Sequence, residues 1–323
     1  MITEPSKEEL QKLYWEDELS ARALATKFCA THSAILNLMQ RYGIRRRNRI
    51  EAVIKGSTKY TKIPFSGDAD EKAYLLGLGF ADFRRRRHGY QVDVSLSTTH
   101  PGFARLFKSL FDGYAPVHER PCFNKSTGRH EWKLDALLHP SFDFLLGPKK
   151  VPEWVTGDKE TFLHFLAGYT DGEGTISISK NSKRCVSFIF AIASGDISIL
   201  RAILRGLKRM GFNPSFRRTK KAGDGNRLYG KLLHYRKDRW SIRLKRRAEV
   251  LSLLEILPIG HPEKIEKRKM LFDLKDKIYI RDIEDQWAEL KNKIRKGVDA
   301  YVLEGAFRSR LSDSSLSKSD ARL

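Results

Sequence analysis

The sequence predicts an α+β fold in which an α-β-β-α-β-β-α unit occurs twice, with pseudo-two-fold symmetry between the copies. The first observation is a pair of glycine- and alanine-rich helix segments, YLLGLGFADF at 74–83 and FLAGYTDGEG at 165–174. The second is that strand-like alternation and then an apolar helix follow each segment. A recurring order of elements indicates internal duplication, so the two stretches are interpreted as repeats.

Five segments follow along the chain. They are a helix-turn-helix module at 1–50, a linker at 51–66, a first repeat at 67–152, a second repeat at 153–275 and a charged helical tail with a disordered end at 276–323. The disordered end is expected from residue 309 onward, where serine and charged residues dominate.

The N-terminal region has the size and rhythm of a helix-turn-helix module. Helices are predicted at 7–17, at 20–28 and at 31–42. The third helix is expected to present Ser33, Asn37 and Arg41 to DNA, and Arg46 of the following RRRNR run is expected to lie near phosphates. A small packing domain with no contact to DNA is the alternative.

In the first repeat, a helix is predicted at 68–81. The segment YQVDVSLS then alternates, with Val92, Val94 and Leu96 on one face and the polar residues on the other. A helix at 102–113, strands at 115–120 and 130–137, and a short apolar helix at 141–147 complete the repeat.

The second repeat has the same order. Its predicted elements are a helix at 161–172, strands at 175–179 and 186–194, a helix at 196–211, strands at 214–219 and 239–245 separated by the turn AGDGN, and a helix at 247–257.

The composition indicates a polyanionic partner. Lys and Arg number 61 against 39 acids, which gives a net charge of +22, and nucleic acid is the polyanion this excess favours. No apolar run approaches the length of a membrane span, and no signal peptide opens the chain. The three cysteines form no zinc-binding spacing. An intracellular protein is expected, cytoplasmic or associated with the nucleoid, with an organelle as the alternative.

The two helix segments each carry a stripe of small residues. Gly77 and Ala81 are four apart, as are Gly168 and Gly172, so each pair shares one helix face and permits close backbone approach. An acid follows each stripe directly, at Asp82 and at Glu173. If the stripes pack together, both carboxylates meet at negative helix ends, where a divalent cation would stabilise them. Two ordinary amphipathic helices with unrelated acids are the alternative.

LAGYTDGEG at 166–174 resembles the signature of the LAGLIDADG homing endonucleases, and LLGLGFADF at 75–83 is a weaker copy. The resemblance, to the single-chain form with two motifs, covers roughly residues 68–275. It implies the homing endonuclease fold, in which two sheets form a saddle over the DNA major groove. It also implies that Asp82 and Glu173 hold Mg²⁺, with Mn²⁺ as a substitute, and that Asp171 is structural.

The resemblance implies further site residues. A basic residue is expected near the metal in each half: Lys264 in the second, and Lys150 in the first with Lys149 as the alternative. DNA readout is expected from polar strand residues, namely Gln91, Asp93, Ser95, Ser97, Ser177, Ser179, Arg217 and Arg218. The first motif departs from the family pattern at Phe80 and Phe83, and both second-strand ends lack the Gln and Lys often found there.

The expected function is site-specific double-strand cleavage of DNA by a monomeric homing endonuclease, free-standing or intron-encoded. The alternative is a catalytically weak binding protein on the same fold, either a transcription regulator or an intron maturase with intron RNA as a partner. A third interpretation, a helix-turn-helix regulator with an unrelated effector domain, leaves the repeated stripes unexplained.

Overall fold

The computed structural model describes residues 4–48, 51–52, 60, 62–180, 185–228, 231–277 and 279–319. The chain forms two compact units, Met1–Ile63 and Pro64–Leu323. Half of the predicted linker at 51–66, namely residues 53–59 and 61, lies outside the described residues. Within the described part of the chain, no helix has the length and apolar character needed to span a lipid bilayer.

The first unit is built from three short helices, α1 (Lys7–Trp15), α2 (Ala21–Lys27) and α3 (His32–Arg41). The side chains of Ser6, Ser20 and Thr31 cap their N-termini by accepting backbone N–H bonds. Apolar residues of all three helices form a separate small core. The helices agree with those predicted, and their assignment as a DNA-binding module stays a prediction.

The first repeat begins with α4 (Ala69–Ala81) and continues with β1 (Arg84–His88), β2 (Gln91–Thr98), α5 (Pro101–Phe111), β3 (Val117–Asn124) and β4 (Arg129–Leu138). The four strands form an antiparallel sheet in the order β1-β2-β4-β3. The segment Pro140–Leu146 is a 3₁₀ helix, a tighter turn than the α-helix expected there.

The second repeat contains α6 (Glu153–Gly157), α7 (Lys159–Glu173), β5 (Gly174–Lys180), β6 (Val186–Ser194), α8 (Ile197–Arg209), β7 (Ser215–Lys220), β8 (Gly225–Leu228), β9 (Lys231–His234), β10 (Arg239–Leu244) and α9 (Arg247–Ile256). Its main sheet has the order β5-β6-β10-β7. The first, second, fourth and third strands of the unit are therefore neighbours in both repeats, which confirms the predicted duplicated α+β fold.

Two strand features differ from the prediction. Strand β1 was not predicted, because its sequence RRRRH has no apolar and polar alternation. It is held in place by antiparallel pairing with β2. The region between β7 and β10, expected to be a simple turn, carries the extra hairpin β8–β9. Hairpin pairing of two four-residue strands leaves little periodic signal in a sequence.

The tail consists of α10 (Pro262–Asp273), a 3₁₀ turn at Ile280–Asp282 and α11 (Glu284–Ser319). Helix α11 packs on the first sheet, where Tyr301 stacks on Trp132 with ring centroids 5.0 Å apart. The helix continues to Ser319, and the disordered end expected from residue 309 stays a prediction. Residues 320–323 lie outside the described residues.

Candidate active site

The site is built on the contact between α4 and α7. A β-carbon on Gly168 would overlap with the carbonyl oxygen of Tyr74 and would lie 3.1 Å from the amide nitrogen of Leu78. A β-carbon on Gly77 would lie 2.7 Å from the amide nitrogen of Tyr169. The two backbones are therefore in direct contact, and glycine is the residue that this approach permits.

The same packing continues to the C-terminal ends of both helices. A β-carbon on Gly172 would overlap with that of Ala81 and would lie 3.1 Å from Oδ2 of Asp82. Asp82 is the C-cap residue of α4, and Glu173 is the last residue of α7. The four small residues thus lie at the helix contact, and the two acids lie at the same end of the pair.

Both carboxylates have raised pKa values. Desolvation by the surrounding protein is the main cause of the raised pKa of Asp82, and the positive charges of Lys264, Lys149 and Arg239 oppose it. Desolvation also raises the pKa of Glu173, and the nearby negative charge of Asp82 raises it further. Two acids that disfavour each other's ionisation, next to two negative helix ends, form a site where a cation is stabilised.

The residues fit a hard divalent cation such as Mg²⁺ or Mn²⁺. Carboxylate oxygens are the ligands these ions prefer, and Mg²⁺ usually keeps several waters when it is bound by one or two carboxylates. In the described ranges, no cluster of three or more His, Cys, Asp or Glu could hold a metal by itself. The remaining ligands at Asp82 and Glu173 would therefore be water, main-chain carbonyls or phosphate oxygens.

Asp171 lies between the motif helices and the segment that precedes α10. It is fully buried, and its Oδ2 accepts hydrogen bonds from Tyr74 Oη at 2.6 Å and from the amide of Gly260 at 2.6 Å. Burial raises the pKa of Asp171, and these two donors oppose the rise. The Asp171 carboxylate thus connects α7, on which it lies, with Tyr74 of α4 and with Gly260 before α10. These contacts stabilise the packing of the three segments.

Lys264 lies at the C-terminal end of α7. Its ammonium donates to the carbonyl oxygens of Thr170, Asp171 at 2.6 Å and Gly172 at 3.1 Å. A cation at a helix C-terminus is electrostatically favourable, yet burial lowers the pKa of Lys264 to about 8. The residue therefore stands beside the two acids, and its contribution to chemistry stays a prediction.

In the first half, Lys149 rather than the expected Lys150 lies near the two acids. Lys150 is exposed and has no described contact with either acid. The charge of the alternative, Lys149, opposes the raised pKa of both Asp82 and Glu173, and its Nζ lies 3.1 Å from Asp196 Oδ2. Lys149 is therefore nearer to the acids, and a role of either lysine in the chemistry stays a prediction.

Arg239 is a site residue that the sequence interpretation missed. Its Nη2 lies 3.3 Å from Glu173 Oε2 and donates to the carbonyl oxygen of Ala193 at 3.0 Å. Arg239 begins β10, which pairs with the end of β6. The sequence signal that could have indicated Arg239 is its position: it is a basic residue at the start of the fourth strand of the repeat, which pairs with the end of the second strand.

The expected DNA-reading residues of the first sheet differ in exposure. Gln91 and Ser95 are buried, with 8% and 7% of their surface exposed, whereas Ser97 is exposed. Ser95 lies in register between Arg84 and Asp135 on the neighbouring strands. Alternation therefore predicts the face of a strand residue and not its accessibility.

Arginines that were not predicted flank this face. Asp93 forms an ion pair with Arg86, and 2.5 Å separates Oδ2 of Asp93 from Nε of Arg86. Both Arg84 and Arg86 are exposed. Antiparallel register places Arg84 and Arg86 opposite Ser95 and Asp93, on the same face. The strand that the sequence interpretation missed therefore adds two arginines to this face.

In the second sheet, Ser177 and Ser179 lie on one face and are partly exposed. Register through β6 and β10 places Arg217, opposite Ser241, on that same face. Arg218 lies opposite Trp240 on the other face and pairs with Asp238 at 3.0 Å. Arg217 and Arg218 therefore lie on opposite faces of the sheet, because adjacent strand residues point to opposite sides, and DNA reading by Arg218 stays a prediction.

In the N-terminal unit, Ser33, Asn37 and Arg46 are exposed, and Arg41 is ion-paired with Glu4. Two further arginines of the basic run stabilise the unit itself. Arg47 lies 4.2 Å from the ring centroid of Tyr14, and Arg45 lies 4.8 Å from that of Trp15. The guanidinium groups of Arg45 and Arg47 therefore make contacts within the unit, and Arg49 lies outside the described residues.

Comparison with known proteins agrees with the motif resemblance. Residues 160–246 match the family model described as LAGLIDADG-like domain. The resemblance of this part of the chain is thereby confirmed. An uncharacterized protein of Methanocaldococcus jannaschii is 21% identical over 225 residues, which cover 67% of this chain and 77% of that protein.

Solved structures with weak similarity include two bound to DNA. The homing endonuclease I-WcaI bound to its DNA recognition sequence has a TM-score of 0.45 and 14% identity, covering 71% of this chain and 96% of that one. The structure of I-DmoI in complex with DNA and Ca has a TM-score of 0.37 and 13% identity, covering 58% of this chain and 89% of that one.

Proposed function

We propose that this chain, in which residues 160–246 are a LAGLIDADG-like domain, is a site-specific endonuclease that hydrolyses both strands of duplex DNA with Mg²⁺. The observation that carries the proposal is the pair Asp82 and Glu173, which the backbone contact of two helices holds at one end of the helix pair. The net charge of +22 supports a polyanionic substrate.

When bound, Mg²⁺ would polarise a phosphodiester and increase the acidity of a bound water. Asp82 and Glu173 are the residues that would hold it. Lys149 and Arg239 place positive charge next to these carboxylates, in a position to favour the negative charge that develops on the phosphate. The glycine contact keeps the two acids in a fixed arrangement, as metal-assisted hydrolysis requires.

The two four-stranded sheets would supply the contacts to DNA. Strand ribbons fit the major groove and can read base edges there. On this proposal, Ser97 and the exposed Arg84 and Arg86 act in the first half, and Ser177, Ser179 and Arg217 act in the second. The arginines would contact phosphates or guanines, and the serines would contribute to base reading.

One observation favours a second function, namely a DNA- or RNA-binding protein with weak or no catalysis. Arg239 already forms an ion pair with Glu173, one of the two metal-binding candidates. If this pair persists on the nucleic acid, it would compete with the metal in the second half.

Selection from a randomised duplex library tests the two functions against each other. We expect incubation with Mg²⁺ to enrich one discrete cleaved sequence, and incubation with Ca²⁺ to enrich the same sequence as bound and uncleaved duplex. Enrichment of bound duplex with both ions, and of cleaved duplex with neither, would favour the binding protein.

Removal of the N-terminal unit should weaken binding without abolishing cleavage. A chain starting at Pro64 keeps both acids and the whole second unit, which has its own core. Each lost phosphate contact lowers the slope of log affinity against log salt by about 0.9, and we expect a decrease of about one to two units. Arg46, together with Arg41 once it is released from Glu4, would supply these contacts. A salt series with both chains on one duplex measures the change.

The same pair of proteins tests flank recognition. The shortened chain should tolerate base changes on one flank of the target, where α3 would read bases. An unchanged slope together with unchanged flank preference would mean that the N-terminal helices have another role.

A further inference from the structure

A cavity of about 470 Å³ adjoins Asp82. Asp82 lines the cavity, as do Thr98, Thr99 and His100 at and after the end of β2. Glu263 and other residues at the start of α10 also line the cavity. The cavity thus brings residues from distant parts of the chain next to one of the two acids.

A histidine that lines this cavity is held by a carboxylate. The Nδ1 atom of His100 lies 2.9 Å from Oε2 and 3.2 Å from Oε1 of Glu263. A carboxylate accepts hydrogen bonds, so the proton between them is on Nδ1 and the lone pair of neutral His100 is on Nε2. Burial of Glu263 disfavours its ionised form, but the hydrogen bond from His100 opposes this effect, and the pKa of Glu263 is lowered overall, which keeps the carboxylate ionised. Glu263 therefore selects the tautomer in which Nε2 can accept a proton.

Both members of the pair are fixed by their own backbone contacts. The amide of His100 donates to Thr98 Oγ1 at 3.0 Å, and the amide of Glu263 donates to Nδ1 of His261 at 3.2 Å. The Glu263 side chain is largely buried, whereas the His100 side chain is 48% exposed. The carboxylate is anchored in the protein, and the imidazole reaches solvent in the cavity.

Other titratable groups face the same space. Lys264 and Lys267 of α10 have pKa values lowered by burial, and burial lowers the pKa of His261 to about 3, so His261 is neutral. Arg129 and Glu131 of β4 also line the cavity, one of each sign. Among the described residues around the cavity, His100 is therefore the imidazole that is both oriented by a carboxylate and accessible.

The second repeat has a different pair at the equivalent position. His100 is the N-cap residue of α5, which follows β2, and Asp196 is the N-cap residue of α8, which follows β6. Asp196 pairs with Lys149 at 3.1 Å, whereas His100 pairs with Glu263. The equivalent N-cap position is therefore a basic side chain in the first repeat, where His100 pairs with an acid. In the second repeat it is an acidic side chain, where Asp196 pairs with a lysine.

We propose that His100, oriented by Glu263, accepts the proton from the attacking water at the first-repeat half of the active site. This inference rests on the proposed endonuclease function. The water oxygen forms a bond to phosphorus, and the bond from phosphorus to the leaving sugar oxygen breaks, with its electron pair going to that oxygen. The water proton goes to Nε2 of His100, while Nδ1–H stays hydrogen-bonded to Glu263. Solvent then protonates the leaving oxygen.

The inference predicts an effect on one strand. In single-turnover cleavage of a duplex labelled separately on each strand, His100→Ala should slow cleavage of one strand by about 10²- to 10⁴-fold. Cleavage of the other strand should change by less than about threefold, which is the scale of a small indirect effect. Wild-type cleavage of the affected strand should decline at acidic pH, where a protonated imidazole cannot accept a proton, and the variant should lose this decline.

Chemical rescue separates proton transfer from a structural role. Added imidazole should restore cleavage of the affected strand by His100→Ala, because the vacated space lies in an open cavity. His164→Ala is the matched control, since His164 also faces a carboxylate, Asp70 at 3.7 Å, and does not line this cavity. It should show normal cleavage of both strands and no response to imidazole. Glu263→Gln should slow the same strand as His100→Ala, by a smaller factor.

Two results would overturn this inference and leave the proposed endonuclease function intact. One is an active wild-type protein in which His100→Ala slows both strands equally and lowers the melting temperature, which indicates that the pair only ties α10 to the first repeat. The other is an unchanged pH dependence without imidazole rescue. A wild-type protein that binds its duplex and cleaves neither strand would remove the proposed function, and this inference with it.

Discussion

Asp82→Asn and Glu173→Gln should each abolish double-strand cleavage while leaving DNA binding largely intact. Each substitution removes one metal-binding carboxylate and keeps the shape of the side chain. Metal catalysis contributes several kcal/mol of transition-state stabilisation, so a loss of about a thousandfold or more is expected. Rates of double-strand cleavage with Mg²⁺, and binding with Ca²⁺, measure the two effects separately.

Stability should move in the opposite direction to activity. Burial raises the pKa of both acids, and the charge of Asp82 raises that of Glu173 further. The ionised forms therefore destabilise the fold at neutral pH, and a neutral amide removes that cost. The melting temperature of each variant in the absence of metal should therefore be unchanged or slightly higher. Asp143→Asn is the control, since Asp143 forms a surface pair with Arg87 at 2.7 Å. Wild-type double-strand cleavage by either Asp82→Asn or Glu173→Gln would exclude a shared metal centre.

Gly168→Ala should destabilise the second unit strongly, although it adds one methyl group. The new β-carbon would overlap with the carbonyl oxygen of Tyr74, which belongs to the backbone of α4 and cannot rotate away. Overpacking commonly costs about 1–3 kcal/mol, and a clash with backbone is expected to reach or exceed the upper end. At about 2–4 °C per kcal/mol, the melting temperature should fall by about 6–12 °C or more.

Gly113→Ala is the matched control. Among the described residues, no heavy atom lies within 4 Å of the position that a β-carbon on Gly113 would occupy, and the φ of Gly113 is not positive. The added methyl group therefore meets neither a neighbour nor backbone strain. Gly223 is less suitable, because its φ of +88° disfavours any side chain. Equal melting temperatures for Gly168→Ala and Gly113→Ala would contradict the close contact of α4 and α7.

The sequence by itself determined the helices, strands and helix faces that depend on local residue patterns. Alternation in YQVDVSLS predicted β2, and the helices predicted at 20–28 and 31–42 begin within one residue of α2 and α3. The spacing of glycines and alanine predicted which helix faces meet, and the structure places those residues at the contact. These features depend on neighbours a few residues apart, so backbone preference and side-chain periodicity are sufficient to predict them.

Only the tertiary structure decided which distant residues complete the site. Arg239 reaches Glu173 because β10 pairs with β6, and Glu263 reaches His100 because α10 returns to the first repeat. Strand β1, with its four arginines, exists because β2 supplies its hydrogen-bond partners. Such contacts depend on how the chain closes over long separations. Charged residues are abundant along the whole sequence, so no local pattern distinguishes the few that meet from the many that face solvent.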